Sequence, residues 1–181
     1  MGTTQPTPFE WARELLANPQ LAVVVDTETT GVGYDDEIIE LAVVAIDRRV
    51  VLDTLVSLSR RTSVPEAATA IHGITTEDLS GQPKYGALKG EIASTFEGKR
   101  ILAYNAAFDY RMMLRAAELD GGYRPRWSQW ECVMEKYAAY RACRGLTAKR
   151  RYHRLGGKHR AVEDAMKVID LVHEMATRNG S

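Results

Sequence analysis

Cysteine is scarce in this 181-residue chain: Cys132 and Cys143 are the only two, with no CxxC spacing, and the four histidines are dispersed. That excludes a disulfide-stapled scaffold and a thiolate-rich zinc site, and it points to a reducing, cytoplasmic setting. No apolar run approaches the ~18 residues that a membrane span requires. The opening "MGTTQPTPFEW" has neither the basic nor the apolar segment of a secretory leader. Also missing are a Pro/Ser-rich linker, an internal repeat and a low-complexity tract, and 45% of the residues are apolar. These features fit a single domain over residues 1–181, with a core at about 20–177. One further absence is local. Residues 136–160 hold nine Lys/Arg and no acid, which leaves the rest of a formally neutral chain at 15 basic against 24 acidic residues.

What is present reads as alternating elements. Residues 9–17 predict a short amphipathic helix stopped by Asn18-Pro19. Residues 21–28, 38–46 and 50–58 are rich in β-branched residues. The "DRR" at 47–49 joins the last two as an antiparallel hairpin. Helices are expected over 85–96, over 106–119 with Asn105 as N-cap, over 133 to about 144, and from about 160 to 177. Short strands are expected at 100–104 and near 127–132. The order βββαβαβαα describes an antiparallel meander followed by parallel strands in one α/β sheet.

The run "VVVDTETTG" (residues 23–31) places Asp26 and Glu28 on the same face at the end of an apolar strand. Like charges this close repel unless a cation lies between them. An isolated DxE is more often only a strand entering a solvated turn. Two helices add to the pattern. On the last helix Asp164 falls inside the apolar arc of Ala165, Val168, Leu171 and Val172, while Glu163, Lys167, Asp170 and Glu174 face away. On the helix from Ala106, Asp109 lies among Met112, Met113 and Ala116, opposite Arg111, Arg115 and Glu118. Either acid alone is as well explained by a satisfied buried polar group. Together with Asp26 and Glu28 they are most economically one site.

Four carboxylates require cations, and all-oxygen donors select hard ions, Mg²⁺ or Mn²⁺. Two such ions are the arrangement used for in-line attack on phosphorus. His159, after the glycines of "RLGGKH" and just ahead of the last helix, is the candidate general base, with an imidazole that titrates in the required range. A solvated bystander is the competing reading of His159. His72 and His153 are weaker candidates for the role, and His173 lies at the edge of the last helix's apolar arc.

With these residues in hand, "DTETTG" (26–31), "NAAFD" (105–109) and "HRAVEDA" (159–165) resemble, in order, the three motifs of the DEDDh 3'-5' exonucleases. That superfamily includes the DnaQ-like polymerase proofreading subunits, ribonuclease T and oligoribonuclease. "IHGIT" (71–75) also stands where that family has a similar motif. The resemblance implies a ribonuclease H-like fold, a mixed five-stranded sheet flanked by helices. It implies Asp26, Glu28, Asp109 and Asp164 as metal ligands and His159 as general base. It further implies Thr29, Ile71 and His72 around the terminal nucleotide. No motif position is broken, which argues against an inactive copy.

Substrate is read from smaller signs. Val32 and Ile71 stand where ribonuclease T-like members carry base-stacking aromatics, which favours single-stranded DNA 3' ends over RNA. Lys149, Arg150 and Arg151, in "AKRRYHRLGGKHR" (148–160), fit a track for the phosphate backbone, with Tyr137, Tyr140 and Tyr152 interleaved. A solvated basic face with inward-packed tyrosines is the equal alternative. Trp127 and Trp130 read as packing residues. The expected activity is release of nucleoside 5'-monophosphates. The alternatives are a proofreading-type polymerase accessory, an RNA-trimming enzyme and a non-catalytic nucleic-acid-binding module. Short ends, "MGTTQPT" and "NGS", favour an independent nuclease over one tied to a DNA polymerase or other replication and repair proteins. Both monomers and homodimers occur among relatives.

Overall fold

The computed structural model describes residues 6–145 and 159–177. Thr7 caps helix α1 (Pro8–Ala17): its hydroxyl accepts the Glu10 amide while the Glu10 carboxylate accepts the Thr7 amide, with proline in the first turn. Strand β1 (Ala22–Thr29) follows, then β2 (Ile38–Ala45) and β3 (Val50–Leu55). The "DRR" turn is tight, with Arg48 at φ 71° and the Asp47 carboxylate accepting the Arg49 amide at 3.1 Å. The strand that leaves it stops at Leu55, three residues short of the expected run.

The remaining elements are α2 (Glu66–His72), α3 (Lys89–Phe96), β4 (Arg100–Ala103), α4 (Ala106–Asp120), β5 (Trp130–Cys132), α5 (Val133–Cys143) and α6 (Ala161–Ala176). The five strands lie in the order β3-β2-β1-β4-β5. The pairs β1–β2 and β2–β3 are antiparallel, and β1–β4 and β4–β5 are parallel. This is the expected mixed sheet, the ribonuclease H-like fold.

Helix α2 was not expected from the sequence. "EAATAIH" is short and lacks a side-chain cap, and it ends on Gly73 in the left-handed region at φ 77°. Asn105 precedes α4 but makes no side-chain capping bond. The expected 85–96 helix begins as a 3₁₀ turn over Tyr85–Leu88, and the expected 127–132 strand opens as another over Trp127–Gln129.

Two cores sandwich the sheet. Val23, Val25, Ile101 and Ala103 pack beneath α3 and α4, through Ile92, Phe96, Met112 and Met113. Ala22, Val24, Val44 and Leu102 pack against α1, α5 and α6, through Trp11, Leu15, Tyr137, Val168 and Val172. Strand β1 is therefore covered on both faces and flanked on both edges, and its eight residues are buried or nearly so. Among the described residues, no helix is long and apolar enough to cross a membrane.

Candidate active site

Strand alternation decides where the "DTE" triplet points. Thr27 shares the face of Val23 and Val25, under α4; Asp26 and Glu28 share the face of Val24, toward α6. Thr27 is buried, and its hydroxyl donates to Asp109 Oδ1 at 2.9 Å, so the acid of α4 is tied to the strand from one side. From the other side α6 brings Asp164, which is 7% exposed. Asp26, Thr27, Glu28, Ile71, Tyr104, Asn105, Phe108, Asp109, His159 and Asp164 line one cleft of about 450 Å³. The four acids, drawn from three separate parts of the chain, all line it.

His159 precedes α6 rather than lying on it: Arg160 is the N-cap residue, and its carbonyl accepts the Asp164 amide at 3.0 Å. The His159 Nδ1 lies 3.6 Å from Asp164 Oδ2. Ligand atoms of Glu28, His159 and Asp164 all lie within 4.8 Å of one another. Lys167 was expected on the opposite face of α6, but it curls back to put Nζ 2.5 Å from Asp164 Oδ1.

The electrostatics are those of crowded anions. Burial pushes the Asp26 carboxyl well above the ordinary carboxylate range, and the charges of Asp109, Glu28 and Asp164 push it further. Glu28 is raised to about 8 by burial and then by Asp164, Glu40 and Asp109, with Arg160 opposing. Burial raises Asp109 to about 7 against the opposing Thr27 hydrogen bond. An all-carboxylate donor set with one histidine at its edge is chemically matched to hard divalent cations, whose charge would restore the ionised forms.

The substrate-side residues are placed unequally. Ile71 opens on the cleft and is 58% exposed, and Val32 is 78% exposed. His72 is buried at 6% exposure, its Nδ1 accepting the Ile74 amide at 3.0 Å, and burial lowers its imidazole below the ordinary value. Thr29 is also buried, its hydroxyl donated to the Gly31 carbonyl at 2.6 Å. Lys149, Arg150 and Arg151 lie outside the described residues, as do Tyr152 and His153. Tyr137 and Tyr140 stack on each other and bond to Glu174 of α6, so the inward-packed reading holds for those two.

Sequence reasoning missed Thr27, Tyr104, Phe108, Lys167 and Glu40. The signal for Glu40 was available: it is the one charged residue in the wholly buried strand "IIELAVVA". Thr27 was hidden by its neighbours, because a threonine between two acids reads as a strand former.

Comparison with known proteins shows the family. The exonuclease family model matches residues 23–172. The chain is 30% identical to the uncharacterized exonuclease CP81 of Escherichia phage 186, over 97% of both chains. It is 33% identical to the DNA polymerase III subunit epsilon of Escherichia coli over 50% of this chain and 41% of that one. Among solved structures, E. coli exonuclease I with a dT13 oligonucleotide matches with a TM-score of 0.68 and 18% identity, covering 86% of this chain and 41% of that one. The nuclease domain of 3'hExo, a DEDDh family member bound to rAMP, matches with a TM-score of 0.62 and 12% identity, covering 88% and 96%. With its acids and histidine in the order Asp, Glu, Asp, His, Asp along the chain and the family match spanning them, the protein belongs to the exonuclease family, in its DEDDh, DnaQ-like branch.

Proposed function

We propose that this 3'-5' exonuclease shortens single-stranded DNA from its 3' end, releasing nucleoside 5'-monophosphates, with two Mg²⁺ or Mn²⁺ ions held by Asp26, Glu28, Asp109 and Asp164. The observation that carries the reading is the convergence of those four carboxylates with His159 in one cleft of about 450 Å³. Divalent cations, when bound, polarise the scissile phosphate and lower the pKa of the attacking water. His159, 46% exposed at the rim and beside Asp164, takes the proton from that water. Asp109, anchored by Thr27, and Asp164, anchored by the start of α6, fix the spacing of the donors. Ile71 and Val32 present aliphatic surface to the terminal base, and Lys149, Arg150 and Arg151 follow the backbone of the strand.

DNA is preferred over RNA on two grounds. The exposed side chains at positions 32 and 71 are aliphatic, Val32 and Ile71, and several relatives are named as DNA polymerase III subunits. An independent enzyme is preferred over a polymerase subunit because the phage 186 relative, itself named an exonuclease, matches over 97% of both chains. The test is a 5'-labelled single strand incubated with purified protein. Stepwise shortening is expected with Mg²⁺ or Mn²⁺ and none in EDTA, and Asp26→Ala or His159→Ala should abolish it. No shortening of DNA or RNA with either ion would overturn the reading. Faster trimming of a matched RNA would overturn the DNA preference alone.

A further inference from the structure

Glu40 is 1% exposed, and both of its carboxylate oxygens are engaged by the short segment that carries His159 and leads into α6. Its Oε1 accepts Arg160 Nε at 2.9 Å and a terminal guanidinium nitrogen at 2.5 Å; its Oε2 accepts the Ala161 backbone amide at 2.9 Å. It stands directly opposite Glu28 in the β1–β2 register. Helix α6 has no side-chain cap of its own. Glu40 supplies one from across the sheet, 121 residues earlier in the chain. A negative group at a helix N-terminus is favourable, and a guanidinium that donates two N–H groups to one carboxylate oxygen is fixed in direction as well as distance.

We propose that Glu40 is a positioning residue for catalysis. By gripping Arg160 and Ala161 it holds His159 and Asp164 at a set distance from Glu28, its neighbour on β1. The inference rests on the nuclease reading above. The arrangement also explains why a charge is tolerated in a strand whose eight residues are all buried: both oxygens have hydrogen-bond donors, and the guanidinium side chain is 47% exposed and so remains solvated.

The test uses the full chain with Glu40→Gln, which keeps the shape but removes the charge and one acceptor. The rate constant kcat on a labelled single strand is expected to fall by about tenfold or more while KM stays within about twofold, the split of an interaction realised in the transition state. Arg160→Gln should show the same split, and the double variant should be no worse than the poorer single, because the two side chains act as one unit. In metal-free protein, hydrogen exchange across residues 159–164 should quicken in Glu40→Gln while β1 and β4 amides keep wild-type rates. If Glu40→Gln does not fold, Arg160→Gln carries both measurements, since its side chain lies at the surface. A kcat within about twofold of wild type, with Asp26→Asn inactive, would sink the positioning role and leave the nuclease reading standing. Exchange that quickens uniformly across the sheet would also sink it, reducing Glu40 to a general stability residue. An inactive wild type overturns the nuclease reading, and this inference with it.

Discussion

Removing divalent cations should make the protein's stability fall as pH rises. In the metal-free cleft Asp109 titrates at about 7 and Glu28 at about 8, whereas in the unfolded chain carboxylates return to roughly 4. The native state therefore binds more protons than the unfolded state between those limits. Stability is complete below the unfolded value and is lost as pH climbs through the folded values. One pKa unit is about 1.4 kcal/mol, so Asp109 alone accounts for roughly 4 kcal/mol. Glu28 shares the same field and is partly exposed, so the two do not add, and a combined swing of about 3–5 kcal/mol is expected. For a chain of this size that is roughly 10 °C in Tm. The assay is thermal unfolding in EDTA from about pH 5 to about pH 8.5, repeated with millimolar Mg²⁺ or Mn²⁺. Cations bind the ionised native form, so they should restore most of the loss, and do so most strongly at the alkaline end. Asp109→Asn should flatten the EDTA curve and unfold later than wild type at the highest pH. A wild-type Tm that is level or rising across that range in EDTA would refute the crowded-anion account.

Three other changes probe the supports of the site. Lys167→Met removes the cation 2.5 Å from Asp164 Oδ1; Mn²⁺ affinity by calorimetry should rise by about threefold to tenfold if the lysine competes with metal, and a weaker affinity would show that it supports the acid instead. Thr27→Val deletes the buried bond to Asp109 and should cost about 1–2 kcal/mol in urea unfolding, together with a lower kcat; a variant as stable and as fast as wild type would dismiss that anchor. Gly31→Ala would place a methyl carbon 2.5 Å from Asp36 Oδ2. The Asp36 carboxylate holds the Thr30 hydroxyl, the Gly33 amide and Arg61, so a loss of about 1–3 kcal/mol is expected, and unchanged unfolding would mean that the loop after β1 yields freely.

Strand periodicity made the strand locations legible, and the anomalous acids made most of the site legible. Asp109 and Asp164 stood out because each interrupts an apolar stripe, and burying a charge there has to be answered by some partner. Less legible was anything decided by reach across the fold. Lys167 belongs to the polar face of α6 by position, yet its four-carbon stem folds back to Asp164, and a helical projection places Cα atoms rather than ammonium groups. Helix α2 escaped because "EAATAIH" offers barely two turns and no capping side chain, so its stability comes from Ala68 and its neighbours packing on Ile39, Val64 and Ile74. That helix also separates the two neighbours that the family resemblance places near the terminal nucleotide: His72 is buried while Ile71 faces out, because adjacent residues on a helix diverge by ~100°.

The convergence itself follows from topology. The chain leaves β1 toward β2 on one side and later returns to β4 on the other, so the sheet's order turns about β1. The carboxyl end of β1 therefore lies beside that of its parallel neighbour β4, and the connections depart in opposite directions, leaving a crevice that neither loop fills. Asp26 and Glu28 come from β1, while Tyr104 and Asn105 leave the end of β4 and lead directly into α4 with Asp109. Asp164 reaches the same crevice on α6 from the opposite face of the sheet. Neither face alone could gather four carboxylates, because successive strand residues point apart and each helix contributes a single inward acid. Only at a strand end, where the two layers are no longer separated by the sheet, can Thr27 bind an acid on one side while its neighbours Asp26 and Glu28 meet another on the far side. The "DTE" triplet works because its middle residue faces away from the other two.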